Sequence, residues 1–223
     1  MYLVFVFILE VVVLYFLSRK LSNKIWTVLY RLTKSKKAST YIYSFLFLPG
    51  IVFHEMAHFL SALFLFVPVG KIDLSPVFNE DEKGTVKSIR LGSVAIGKSD
   101  LIRSTLIGFS PFVSGVAVIL ILIYHLNSQD LLPNIAIVLL SLYVIFEIGN
   151  TMFLSRSDLK SALELSLVIL ALYIILYLFG VRVSFNPTGL IGQKIIDVIG
   201  MADRFLLVPV GVDFLLLGFV KIF

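Results

Sequence analysis

The sequence predicts an all-α polytopic membrane protein of about six transmembrane helices, with a small membrane-associated β-hairpin or sheet after the second apolar stretch. Composition is the first reason. Hydrophobic residues make up 59% of the 223-residue chain and charged residues only 15%. The mean hydropathy of +1.01 lies beyond the usual range of a soluble domain of this size. Length is the second reason, because about 20 helical residues cross roughly 30 Å of hydrocarbon. Stretches 2–17, 41–69, 105–126, 134–154, 159–180 and 205–223 are apolar enough to cross or enter a bilayer. They use nearly all of the chain, so the expectation is one membrane domain over 1–223, without linkers, internal repeats or an appended soluble module.

Stretch 2–17 is short for a span and contains Glu10. No small-residue cleavage site follows it, which favours a retained anchor over a signal peptide. Segment 19–40 comes next, and its Arg19, Lys20, Lys24, Arg31, Lys34, Lys36 and Lys37 occur with no acidic residue among them. The positive-inside rule makes this segment cytoplasmic and puts the N-terminus outside. Ile25, Trp26, Val28, Leu29 and Leu32 interleave with these charges, so membrane lipid is the expected partner of an interfacial helix here, and nucleic acid is not.

The longest polar interval, 70–104, does not read as helix. It holds Pro76 and a turn-like cluster from Asn79 to Gly84, and beyond these Val86, Ile89, Leu91, Val94 and Ile96 alternate imperfectly with polar residues. A hairpin or short sheet is expected, with an ordinary surface loop as the alternative.

The chemistry lies in stretch 41–69, where HEMAH occupies 54–58. Residues i and i+4 share a helix face, so His54 and His58 can present imidazole nitrogens to one ion at about 2.0–2.1 Å. Glu55 lies beside that ion, placed to take a proton from water activated there. Cysteine is absent, which confines any metal to histidine, carboxylate or water ligands. Ionisable groups at bilayer depth cost a few kcal/mol each and mark functional cavities. A hydrolytic metal site therefore explains HEMAH better than hydrogen bonding between helices, or a metal that is only carried or only stabilises. A catalytic zinc usually has three protein ligands. Candidates for the third are His125, Glu147, Asp158, Asp130 and the acids of 70–104. Asp158 lies in NTMFLSRSDL (150–159), where polar residues interrupt two apolar helices. That interruption fits an active-site cavity, and equally a short loop with Arg156 and Lys160 at the headgroups.

HEMAH in an apolar helix, followed after about a hundred residues by Asn150 and Asp158, resembles the site-2 protease family of intramembrane zinc metalloproteases. That family pairs HExxH with a downstream N-x-x-P-x-x-x-x-D-G. The resemblance covers 41–180 and implies that His54, His58 and Asp158 bind Zn2+, that Glu55 is the general base, and that Asn150 helps hold the substrate backbone or the oxyanion. GFSPFVSG (108–115) occupies the place of the family's G-P-x-x-N segment, and 70–104 that of its membrane-associated sheet. Phe153, Leu159 and Ser114 stand where the family has proline, glycine and asparagine.

The implied function is hydrolysis of peptide bonds in or next to transmembrane segments of membrane-protein substrates. A substrate helix must unwind to expose its amides, and an edge strand can receive the extended chain. Segment 85–96 is the candidate edge. Water would reach the metal by a polar channel opening to the cytoplasm, with Pro49 and Gly50 either kinking the HEMAH helix at its mouth or marking the helix start. Competing functions are a metal-binding transporter or sensor, a non-catalytic relative that binds membrane helices, and a zinc protease trimming prenylated C-termini. The expected location is multi-pass in a prokaryotic cell membrane, and the oligomeric state stays open.

Overall fold

The computed structural model describes residues 2–80, 86–128, 134–153, 156–180 and 189–220. It is mostly helical, with two small antiparallel ribbons. Helix α1 (Tyr2–Thr33) runs through both the first apolar stretch and most of the basic segment. It continues past the hydropathy boundary because Ile25, Trp26 and Leu29 pack against the cluster of Tyr43, Phe47 and Ile51. Helix α2 (Lys36–Leu46) starts at Ser35, whose hydroxyl accepts the Ala38 N–H at 3.4 Å.

Stretch 41–69, expected as one span, is broken. Helix α2 and helix α3 (Leu48–Phe64) meet at Phe47 and are bent by 74°. Pro49 sits in the first turn of α3, where a missing N–H is harmless and the fixed φ suits a helix start. Pro49 and Gly50 therefore mark the helix start and do not kink its interior. Helix α3 lacks a side-chain cap from its own N-cap residue. The buried Glu147 carboxylate supplies one, its Oε2 accepting the Gly50 N–H at 3.1 Å. A carboxyl oxygen at a helix N-terminus satisfies an orphan donor.

After α3 come β1 (Val69–Asp73), β2 (Val77–Glu80), β3 (Val86–Arg90) and β4 (Ser93–Ile96). β1 pairs with β4 and β2 with β3, so the segment is one nested hairpin interrupted at Leu74–Pro76 on one arm and Leu91–Gly92 on the other. The expected sheet is present. Leu74 and Leu91 turn from that break onto the Tyr43–Phe47–Ile51 cluster, which fixes the hairpin against the start of α3.

Helix α4 (Leu101–Ser128) begins at Asp100, whose Oδ1 accepts the Arg103 N–H at 3.0 Å. That N–H, with the Arg103 guanidinium 3.2 Å away, holds the exposed Asp100 carboxyl below its usual range. Helices α5 (Ile135–Thr151), α6 (Arg156–Leu178) and α7 (Leu190–Val220) complete the chain. Leu14 of α1, Ile119 of α4, Ile145, Ile148 and the following Met152 of α5, and Leu206 of α7 form the main core. α6 packs on α4.

Among the described residues, Leu101–Leu126 is the one helix long and apolar enough to cross a membrane by itself, and the α2–α3 pair passes only as a broken span or re-entrant loop. Shorter apolar helical segments cover Ile135–Thr151, Leu167–Leu178 and Leu206–Phe219.

Helices α3 and α5 approach closely at Gly50. A Cβ there would lie 2.7 Å from Thr151 Oγ1 and 2.8 Å from the Glu147 carbonyl oxygen. Gly50→Ala should force the two helices apart at a cost of about 1–3 kcal/mol. The expected outcome is a lower thermal unfolding midpoint in detergent, and an unchanged midpoint would show that the approach is not needed.

Candidate functional site

Helix α3 carries His54 and His58 on one face, as the four-residue spacing requires. Their Nε2 atoms lie 3.1 Å apart, with the rings nearly perpendicular. What holds each ring is main chain. His54 Nδ1 is 2.6 Å from the Thr151 carbonyl oxygen, and His58 Nδ1 is 2.8 Å from that of Ile107. A carbonyl can only accept, so each Nδ1 carries the proton and each Nε2 presents a lone pair.

Both carbonyls are available for reasons written in the local sequence. Thr151 is the last residue of α5, and the final carbonyls of a helix have no intrahelical donor. Ile107 lies four residues before Pro111 within α4. Proline has no N–H to return to that carbonyl. The Ser110 hydroxyl also donates to it, at 2.7 Å. Thus the buried Pro111 frees an acceptor in mid-helix, and His58 takes it.

Two imidazole nitrogens facing each other at 3.1 Å repel unless a proton or a metal ion lies between them; the distance is that of a hydrogen bond from a protonated ring and also close to that of two ligands on one ion. Two nitrogens bound at 2.0–2.1 Å to one tetrahedral ion would be about 3.3 Å apart. The pair therefore fits a divalent metal, and the carbonyl partners are the outer contacts that ligating histidines ordinarily have. Glu55 is 8% exposed, as is His58. The break of the hairpin covers the glutamate: a Cβ on Gly92 would lie 2.9 Å from Glu55 Oε1 and 3.0 Å from its Cγ. Both histidines and Glu55 line a cavity of about 740 Å³ together with Arg90, Leu91, Gly92, Ser93, Arg19 and Asn150.

The sequence-derived third-ligand candidates are distributed as follows. Asp158 lies in the first turn of α6, and its side chain is outside the described residues, as is Asp130. Glu147 is engaged at the start of α3. His125 is exposed in the last turn of α4. Among the acids of 70–104, Asp73 accepts the Ser75 N–H and Asp100 faces Arg103, while Asp81 and Glu82 are outside the described residues and the Glu80 side chain likewise. Among the described residues, no three histidine, aspartate or glutamate side chains are grouped closely enough to hold a metal ion.

No protein-family model, curated protein or solved structure matches this chain.

Asn150 lies beside Thr151 near the end of α5. Its Nδ2 donates to the Phe146 carbonyl at 2.9 Å and to Asp213 Oδ1 at 2.8 Å, and the Ser18 hydroxyl donates to its main-chain oxygen at 3.2 Å. Sequence reasoning missed Asp213. The signal was present, since Asp213 is the one charged residue in VPVGVDFLLLGFV (208–220). Ser114 and Phe153, where the sequence departs from the motif it resembles, are used locally. The Ser114 hydroxyl donates to the Ser110 carbonyl at 2.6 Å, and the Phe153 ring meets Tyr15 edge-on.

Pro111→Ala should return an N–H to the Ile107 carbonyl and weaken its hold on His58. For a zinc ion held by this pair, the expected result is about tenfold weaker affinity in chelator competition, the scale typical of lost outer contacts. Unaltered affinity would show that Pro111 does not govern the histidine.

Proposed function

We propose that this chain is an intramembrane zinc metalloprotease of the site-2 type, hydrolysing peptide bonds in or next to transmembrane segments of other membrane proteins. The observation that carries the proposal is the convergence of the two Nε2 lone pairs at 3.1 Å, with each opposite nitrogen fixed on a carbonyl, beside the buried carboxylate of Glu55. His54 and His58 would hold Zn2+, with Asp158 as the third ligand from the start of α6. When bound, zinc polarises a carbonyl and brings the pKa of water to near 7. Glu55 receives a proton on the attacking side and returns it to the departing amine. Gly92 packs directly beside that carboxylate, leaving no room there for a Cβ. Asn150 holds the substrate backbone.

The hairpin favours strand addition. β3 and β4 each pair on one side only among the described residues, and residues 89–94 line the cavity with the histidines. An unwound substrate segment laid along 85–96 would recover its main-chain hydrogen bonds there. The six-span, multi-pass arrangement in a prokaryotic cell membrane belongs to the same proposal. It is supported by the outward apolar surface: α6 exposes Leu167, Val168, Ile169, Leu170, Leu172 and Tyr173 in near-continuous succession, so its Leu167–Leu178 part is apolar on every side. The α2–α3 break, with its polar contacts inside the protein, is the kind of interruption tolerated at membrane depth.

The decisive test is metal analysis of purified protein together with cleavage of a panel of single-span peptides. Glu55→Gln should lower cleavage by at least about a hundredfold, the scale of general-base catalysis, while zinc content stays at the wild-type level. Undiminished cleavage would remove Glu55 from the mechanism. Asp158→Ala should lose zinc, and full occupancy in that variant would rule it out as a ligand. A wild type that carries zinc but moves it across vesicles without cleaving any peptide would favour a transporter.

A further inference from the structure

The carboxamide of Asn150 has two donor hydrogens and one acceptor oxygen. Both hydrogens are committed, one to the Phe146 carbonyl and one to Asp213 Oδ1. A carbonyl accepts only, which fixes which end of the amide faces inward along α5. The remaining atom, Asn150 Oδ1, is buried with no hydrogen-bond partner, as is Asp213 Oδ2. Leaving such an acceptor unmatched is unfavourable. An oxyanion needs a donor, and Asn150 has none left while Asp213 holds it. A substrate backbone N–H is the complementary group.

We propose that Asp213 is a positioning residue of the peptide site: from α7 it orients Asn150 so that the amide accepts a substrate backbone N–H and does not donate to an oxyanion. This rests on the proteolytic reading above and specifies how its substrate is held. Asn150 lines the cavity and the fully buried Asp213 does not, so the effect of Asp213 on a bound peptide passes through Asn150. Helix α7 reaches α5 here, with a Cβ on Gly149 standing 3.2 Å from Pro209 Cβ. The last helix thereby becomes part of the site and not only an outer span.

The test measures KM and kcat with a lysine-flanked Leu/Ala single-span peptide carrying a central Gly-Pro, and the Kd of that peptide in the Glu55→Gln background. Asn150→Ala and Asp213→Ala should each raise KM, and Kd, about tenfold with kcat within about threefold, the pattern of lost binding common to ground and transition states. Asp213→Asn keeps an acceptor for Asn150 and should stay within about twofold of wild type, which also controls for folding, as does Trp26 fluorescence. Adding Asp213→Ala to Asn150→Ala should change KM and Kd by less than about twofold, because the second residue acts through the first. Multiplicative effects in the double variant would overturn the proposal, as would a fall in kcat at constant KM, or an Asp213→Ala that behaves as wild type. A wild type that binds the peptide and cleaves nothing sinks the proteolytic reading alone, and the Kd values still decide the role of Asp213.

Discussion

The site depends on two main-chain carbonyls that each hold one imidazole. Without them His54 and His58 would be free to rotate about χ1 and χ2, and either ring nitrogen could turn inward. With them, tautomer and ring plane are both set, and the two remaining lone pairs converge at 3.1 Å. Each bond contributes only about 0.5–1.5 kcal/mol to net stability. Their larger effect is geometric, because the proposed metal site needs both rings oriented before an ion arrives.

Everything around α3 serves that registration. Glu147 satisfies the start of the helix, and Gly50 lets α5 come close enough for the Thr151 carbonyl to reach His54. Ile107 is presented by a helix interrupted at Pro111, and it packs with Ala62 and Val67 at the far end of α3. The hairpin break then sets Leu74 and Leu91 on the start of the same helix and Gly92 on Glu55. Each contact uses a helix end, a proline or a glycine, the places where regular structure leaves a group or a space available.

HEMAH was legible in the sequence because its geometry is local: four residues of helix determine which side chains share a face. The small sheet was legible from Pro76 and the alternation after Val86. Helix limits were less so. Hydropathy does not register the bend at Phe47, which only the helix-start signal of Pro49 announces, nor the extension of α1 through Arg31, which depends on Trp26 and Leu29 meeting residues of α2 and α3. The roles of Glu147 and Asp213 arise from pairs separated by 97 and 63 positions, beyond any local pattern. A lone carboxylate in an apolar helix was nevertheless the same warning that singled out Glu55, and it applied to Asp213 as well.

Because the atoms that grip the imidazoles are backbone oxygens of Ile107 and Thr151, no codon specifies them directly. Diverging lineages could replace both side chains and keep the same grip, so alignment columns there would look unconstrained while the geometry persisted. What ancestry would preserve is the interruption itself: an imino acid one helical turn past the first oxygen, and a helix terminus at the second.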